Sequence, residues 1–404
     1  MAKRNDRQCK TARSVVRSVK IIWAALLVPA LANAQVEQRW DSTTTTQVAQ
    51  GIVHKRLVNL EGPWRINLLE VNLAQPGISV RAMKAKDSFV GKETVSSMAA
   101  RYKGDGRVIA AINGDFFNIK TGESENNVVI EGALTKGTTV SDSPYDKFNA
   151  AHSQLEVDWK NHAYIERLRL NAFIASHHLD GINYLPPDTS VLALYTSAID
   201  DVSRLDTSSR HPTLLPLSVV RKKGDSTWYR VAGIAMEGGH HTLNGGAMLA
   251  AIGPRRKDLQ EIARRGGVIK LVVGFTPDHG RPRTVVGGWP MIVNDGKSVA
   301  EYADIVEGTF PKFSVTRHPR TSVGISRDGK TLYIMTVDGR RESDGGMSLA
   351  ELARTMLGFG AYDAMNFDGG GSTTMIVNGK LMNHPSDSTG ERAVGSALLI
   401  VEKD

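Results

Sequence analysis

The sequence predicts an α+β fold, with a mixed β-sheet core, few packed helices and a β-rich inserted subdomain. Three features carry this expectation. Asp328-Gly329 and Asn378-Gly379 each sit between apolar segments, a strong hairpin signal. Apolar runs of strand length recur, among them "RVIAAIN" and "GSALLIV". Helical patterns are few, and the clearest, "SLAELARTMLGFG", opens with the capping box Ser348…Glu351 and ends at Gly358 or Gly360.

Residues 1–34 read as a secretory signal. Basic residues precede "IIWAALLVPAL", and Ala32 and Ala34 stand at the small-residue positions of a cleavage site. That apolar stretch is too short for an ordinary membrane span, so no stable membrane insertion is expected after cleavage. The formal charge of +8 resides mostly in this segment, and the remainder is nearly balanced, which argues against a nucleic-acid partner. The single cysteine, Cys9, lies in the same segment, so the mature chain is expected to use neither disulfide nor thiolate chemistry. The expected destination is outside the cytoplasm, either periplasmic or secreted.

Residues 35–50 are polar and Thr-rich and read as a flexible linker, with order beginning near Gly51. "RINLLEVNL" and "ISVRAM" read as strands, and "ETVSSMAARY" as a short helix capped by Thr94. The stretch 141–285 alternates repeatedly and reads as a β-rich insertion or subdomain within a domain spanning 51–404. "RKDLQEIARRGG" is its helix, and "LDTSSRHPTLLP" its longest exposed loop. "RTSVGISRDGKTLYIMTVDG" and "TTMIVNGKLM" read as hairpins, and "GSALLIV" as a closing buried strand.

Three polar turns at strand ends carry aspartates: Asn113-Gly114-Asp115, Asp338-Gly339, and Asn366-Phe367-Asp368 followed by three glycines and Ser372. Glycosyl transfer requires carboxylates as acid, base or nucleophile, so converging strand ends would supply them. Asp328-Gly329, between two strands, simply makes a turn. The glycines allow close backbone approach by a bound group. The loop lacks the lysine of a P-loop and leads into a strand, against a dinucleotide-binding pattern. Arg320 and Arg392 each precede a strand and suit an anionic group. His240 and His241 point to opposite faces of a strand and make a poor ligand pair. No cofactor is called for, while a hard cation such as calcium, held by aspartates, is compatible with the spacing.

Together "AINGDFFN", "GGWPMIVNDGK", "HPRTSVGIS", "MTVDGR", "SLAELA", "AMNFDGGGSTTMIVNG" and "ERAVGSALLI" resemble the phosphodiester glycosidase family. The resemblance runs from about Gly51 to Val401 and is densest after Gly287. It implies a hydrolase and a pocket formed by Asn113, Asp115, Arg320, Asp338, Asn366, Asp368, Gly370, Ser372 and Arg392. Asp368, Asp338, Asp115 and Arg320 take the catalytic roles, and Asn113, Asn366, Gly370, Ser372 and Arg392 bind substrate. Asp115 departs from the family, which usually carries a glycine or another residue there. The expected substrate is a carbohydrate or glycan phosphate. A glycosidase for non-phosphorylated exopolysaccharide and a non-catalytic glycan-binding protein are the alternatives. Oligomeric state is not legible.

Overall fold

The computed structural model describes residues 39–403, apart from 142, 144–145, 198–203, 207–209, 225 and 244. The expected signal segment lies outside the described residues, as does part of the expected long loop. Three large sheets organise the chain. The first has eight strands in the order Ser42–Ala49, Ile52–Asn59, Trp64–Asn72, Thr331–Val337, Arg320–Ser326, Ala361–Asn366, Met291–Asn294 and Lys297–Ser298. The second has five, in the order Lys380–Leu381, Met375–Val377, Arg107–Asn113, Ser396–Glu402 and Ile78–Lys84. The third is a long sheet of fourteen strands drawn from between Val128 and Gly287.

The first two sheets share one core. Leu69, Val71, Val323, Ile334 and Met365 from one meet Val80, Ile109, Ile112, Leu398 and Ile400 from the other, all essentially inaccessible to solvent. Burying each such side chain contributes about 1.5–3 kcal/mol before conformational entropy is counted. The helix Leu349–Gly358 covers the opposite face of the eight-stranded sheet with Leu349, Leu352, Ala353 and Met356. Its capping box is present: the Glu351 N–H donates to Ser348 Oγ at 3.3 Å, and the Ser348 N–H donates to Glu351 Oε2 at 2.9 Å. The long sheet encloses a separate apolar cluster, into which the helix Arg256–Arg265 inserts Leu259 and Ile262.

Two expectations need correction. The fold is mostly β rather than α+β, and it is antiparallel almost throughout rather than mixed. Among the described residues, the named strands pair in parallel only where Gly181–Ile182 meets Val191–Thr196. Tight hairpins require antiparallel pairing, whereas parallel neighbours need long crossovers. Second, the Thr-rich stretch is no linker: Ser42–Ala49 pairs residue by residue with Ile52–Asn59 as an exposed edge strand. Threonine is polar but β-branched, and an edge strand needs only backbone pairing and one solvated face.

The two hairpin turns form as expected. Asn378 and Gly379 both have positive φ, 47° and 73°, as a type I′ turn requires.

Candidate active site

Register brings the polar turns of the eight-stranded sheet to one end. Arg320 pairs with Val337, the residue before Asp338, and Ser322 pairs with Asn366. In the five-stranded sheet, Asn113 pairs with Ala397 and Ile112 with Met375, so Asn113, Thr374 and Ser396 share an end. Side-chain and backbone hydrogen bonds stitch these two ends together. Asn113 Nδ2 donates to the Asp368 carbonyl at 2.6 Å, while its Oδ1 accepts from Thr321 Oγ1 at 2.8 Å and from the Thr374 N–H at 3.1 Å. The Asp368 N–H reaches the Gly114 carbonyl at 3.2 Å. Asn113 is thus a joint between sheets, with its donor and acceptor committed to protein.

The glycine-rich loop packs directly beneath other parts of the site. Gly370 has φ +61°, and its N–H donates to the Pro319 carbonyl at 2.9 Å. A side chain on Gly371 would collide with the ion pair of Arg392 and Asp387. That pair is two-pronged: Arg392 Nε donates to Asp387 Oδ2 at 2.7 Å and Nη2 to Oδ1 at 3.0 Å. Behind the loop, Thr373 Oγ1, Thr374 Oγ1 and Asn366 Oδ1 are buried and make no hydrogen bond among the described residues. Asn366 Nδ2 is committed, donating to the Trp289 carbonyl at 2.7 Å.

The three aspartates differ in environment. Asp368 is partly exposed, and packing around it pushes its pKa up to about 6. The Ser372 hydroxyl, the Gly369 N–H and Arg392 oppose that rise, and the charge of Asp115 adds to it. Ser372 Oγ lies against Asp368 without ordinary hydrogen-bond geometry. Asp338 is buried, and burial raises its pKa, with Asp344 adding to the effect. Its Oδ1 accepts the His384 N–H at 3.0 Å, and the His384 ring Nδ1 lies 3.2 Å from Oδ2. Asp115 is buried with both oxygens engaged by Asn126, from the backbone N–H at 2.9 Å and from Nδ2 at 2.7 Å. It locks the 115–126 turn.

Arg320 lies where the sequence places it but does a different job from the expected one. It is fully buried; Nε donates to the Met347 carbonyl at 2.9 Å, and Nη2 donates to those of Phe313 and Thr316 at 2.9 and 3.1 Å. Its guanidinium also lies 4.7 Å from the centre of the Phe313 ring. Phe313 stacks on Trp289, which meets Phe116 edge-on, so Phe116 anchors the Asp115 turn in this aromatic wall.

Several groups at the site escaped the sequence reading. Arg340 lies over Gly370 and follows the Asp338-Gly339 turn, so adjacency could have flagged it. Glu125 is partly exposed, and burial, with the nearby Asp115 charge, pushes its pKa up to about 7. His384 and Asp387 come from the loop 383–392, whose polar sequence carries no periodic signal. One ligand atom each from Asp338, Asp344 and His384 lies within 4.8 Å of the others, two oxygens and one nitrogen against the roughly six to eight oxygens that calcium takes. Arg65 already supplies positive charge there, with Nε 2.6 Å from Asp344 Oδ1.

Comparison with known proteins follows the same residues. Residues 218–401 match the phosphodiester glycosidase family. The resemblance read from the motifs therefore holds over that span, which contains all of the quoted motifs except "AINGDFFN". The bovine N-acetylglucosamine-1-phosphodiester α-N-acetylglucosaminidase is 41% identical over 80 residues, 20% of this chain and 15% of that protein. A prophage-derived protein of Bacillus subtilis is 41% identical over 88 residues, 22% of this chain and 13% of that one. The match thus spans less than a sixth of either relative. A crystal structure from Synechocystis superposes with TM-score 0.69 at 19% identity, covering 90% of this chain and 64% of its own. One from Burkholderia pseudomallei gives 0.61 at 20% identity, covering 84% and 74%. These two share the fold.

Proposed function

We propose that this chain is an exported hydrolase that removes an α-linked sugar from a phosphodiester or anionic glycan. The observation that carries the reading is the Asp368 loop: a partly exposed carboxyl with a raised pKa, backed by unpaired buried hydroxyls and bordered by Arg392. Asp368 serves as the acid that protonates the leaving oxygen, since a carboxyl titrating near 6 holds its proton into mildly acidic solution. Asp338 is the second carboxylate, oriented by His384. Arg392 and Arg340, rather than the backbone-bonded Arg320, hold the anionic group. Asp115, Asn113 and Arg320 position the loops. The family match supports glycosidase chemistry, and the bovine relative's named substrate supports a phosphodiester. The N-terminal sequence supports export to the periplasm or beyond.

The test is turnover of paired substrates by the purified protein. Sugar-1-phosphodiesters are expected to be cleaved faster than the corresponding plain glycosides, and Asp368→Asn is expected to lose at least about 100-fold in kcat. Near-normal turnover by a folded Asp368→Asn variant removes that residue from the mechanism. Equal rates on both substrate classes favour the plain glycosidase reading.

A further inference from the structure

A cavity of about 700 Å³ contains none of the residues of the candidate active site. It lies where the edge strand Ile78–Lys84 of the five-stranded sheet meets Pro282–Gly287 of the long sheet. Thr284 Oγ1 donates to the Val80 carbonyl across this seam at 3.1 Å. Arg81 and Arg283 enter from the two sides and close on a single carboxylate, Glu131. Arg81 pairs through Nη1, and Arg283 donates through Nε and Nη2 at 3.2 and 3.3 Å. The arginines are only 4% and 8% exposed, whereas Glu131 is solvent-exposed.

Two guanidinium charges against one carboxylate leave a surplus positive charge in the cavity. A desolvated charge is costly without a counter-charge. The neighbouring acids are committed elsewhere: Asp87 pairs with Arg101, and Asp105 with Lys403. Lys103 adds positive charge at the rim. Tyr102 and the half-exposed Trp159 also line the cavity, with the Arg283 guanidinium 4.9 Å from the Trp159 ring centre.

We propose that this cavity binds an anionic saccharide, its carboxylate or phosphate on Arg81 and Arg283 and its ring against Trp159 and Tyr102. Arginine forks match planar carboxylates and phosphates, and aromatic side chains offer apolar area beside polar groups. The site stands apart from the hydrolytic residues, so an acidic glycan is held there whether or not it is cleaved.

Calorimetric titration of the full chain with trigalacturonate and, separately, glucose 1-phosphate tests this. At least one probe is expected to bind, more weakly as salt rises. Binding trigalacturonate alone assigns a carboxylate glycan, and binding glucose 1-phosphate alone assigns a phosphorylated one. Arg283→Gln and the surface change Trp159→Ala should each weaken binding about tenfold, and Lys103→Ala about threefold. Glu131→Gln, which frees both arginines, should tighten it, a result that a purely structural ion pair does not produce. In an Arg392→Ala background, which removes anion binding at the candidate active site, the binding that depends on Trp159 and Lys103 should persist. Absence of binding by both probes overturns the proposal. So does binding that Arg392→Ala abolishes while Trp159→Ala and Lys103→Ala retain it.

Discussion

Asp368 and Arg392 are linked through space, and each has a consequence that can be measured. Arg392 lowers the Asp368 pKa while packing drives it up. Arg392→Ala is therefore expected to shift the alkaline limb of the rate profile to higher pH and to raise KM for an anionic substrate about tenfold, with a smaller change for a neutral one. Steady-state kinetics on both substrates across pH reads this directly. An equal KM change for both would show that Arg392 does not contact the anionic group. The identities of Asp368, Asp338 and Arg392 as polar groups at strand ends were legible in the sequence. Their division of labour was not, because it depends on which donors each has already spent. Arg320 illustrates the point: as a residue before a strand it resembles Arg392, yet its guanidinium is bound to three backbone carbonyls, whereas that of Arg392 pairs with Asp387 at the loop.

The loop 366–374 depends on neighbours from both sheets. Asn113→Ala removes three hydrogen bonds at once and leaves the Thr374 N–H and Asp368 carbonyl without that partner. An order of 2–4 kcal/mol in unfolding free energy is expected to be lost, with activity falling further than stability alone explains. Denaturant unfolding alongside kinetics separates the two. Ser348→Ala provides the contrast. It removes a helix cap that makes no contact with Asp368 or Asp338 through the Ser348 side chain, and it should cost about 1 kcal/mol with kcat unchanged. The capping box and the Asn378-Gly379 turn were readable because each is a short-range signal whose partners lie within a few residues. The Thr-rich edge strand was misread for the complementary reason: its pairing with Ile52–Asn59 leaves its polar side chains exposed, so no alternation betrays it.

Across the whole molecule, the raised carboxyls couple stability to pH. Asp368 and Glu125 have folded pKa values near 6 and 7, above the ordinary 3.8 and 4.5. Each binds more protons folded than unfolded, so its stabilising contribution is complete below about pH 4 and is lost as pH rises through about 6 to 7. These two groups alone make the protein less stable at pH 8 than at pH 5. Asp368→Asn should flatten this dependence and raise stability at pH 8 by an order of 1–3 kcal/mol. Thermal unfolding of both proteins from pH 4 to 9 checks it, and an unchanged slope in the variant counts against the raised pKa. By itself the amino-acid sequence determined the hairpins, the capped helix, the apolar strands and the polar turns, all products of local conformational preference and side-chain periodicity. Only the tertiary structure decided that the sheets are antiparallel, that Asn113 joins two of them, and that burial raises the Asp368 pKa while Arg320 is spent on backbone. Those outcomes arise from desolvation and charge interactions between residues distant in the chain, which acquire a value only when the sheets close on each other.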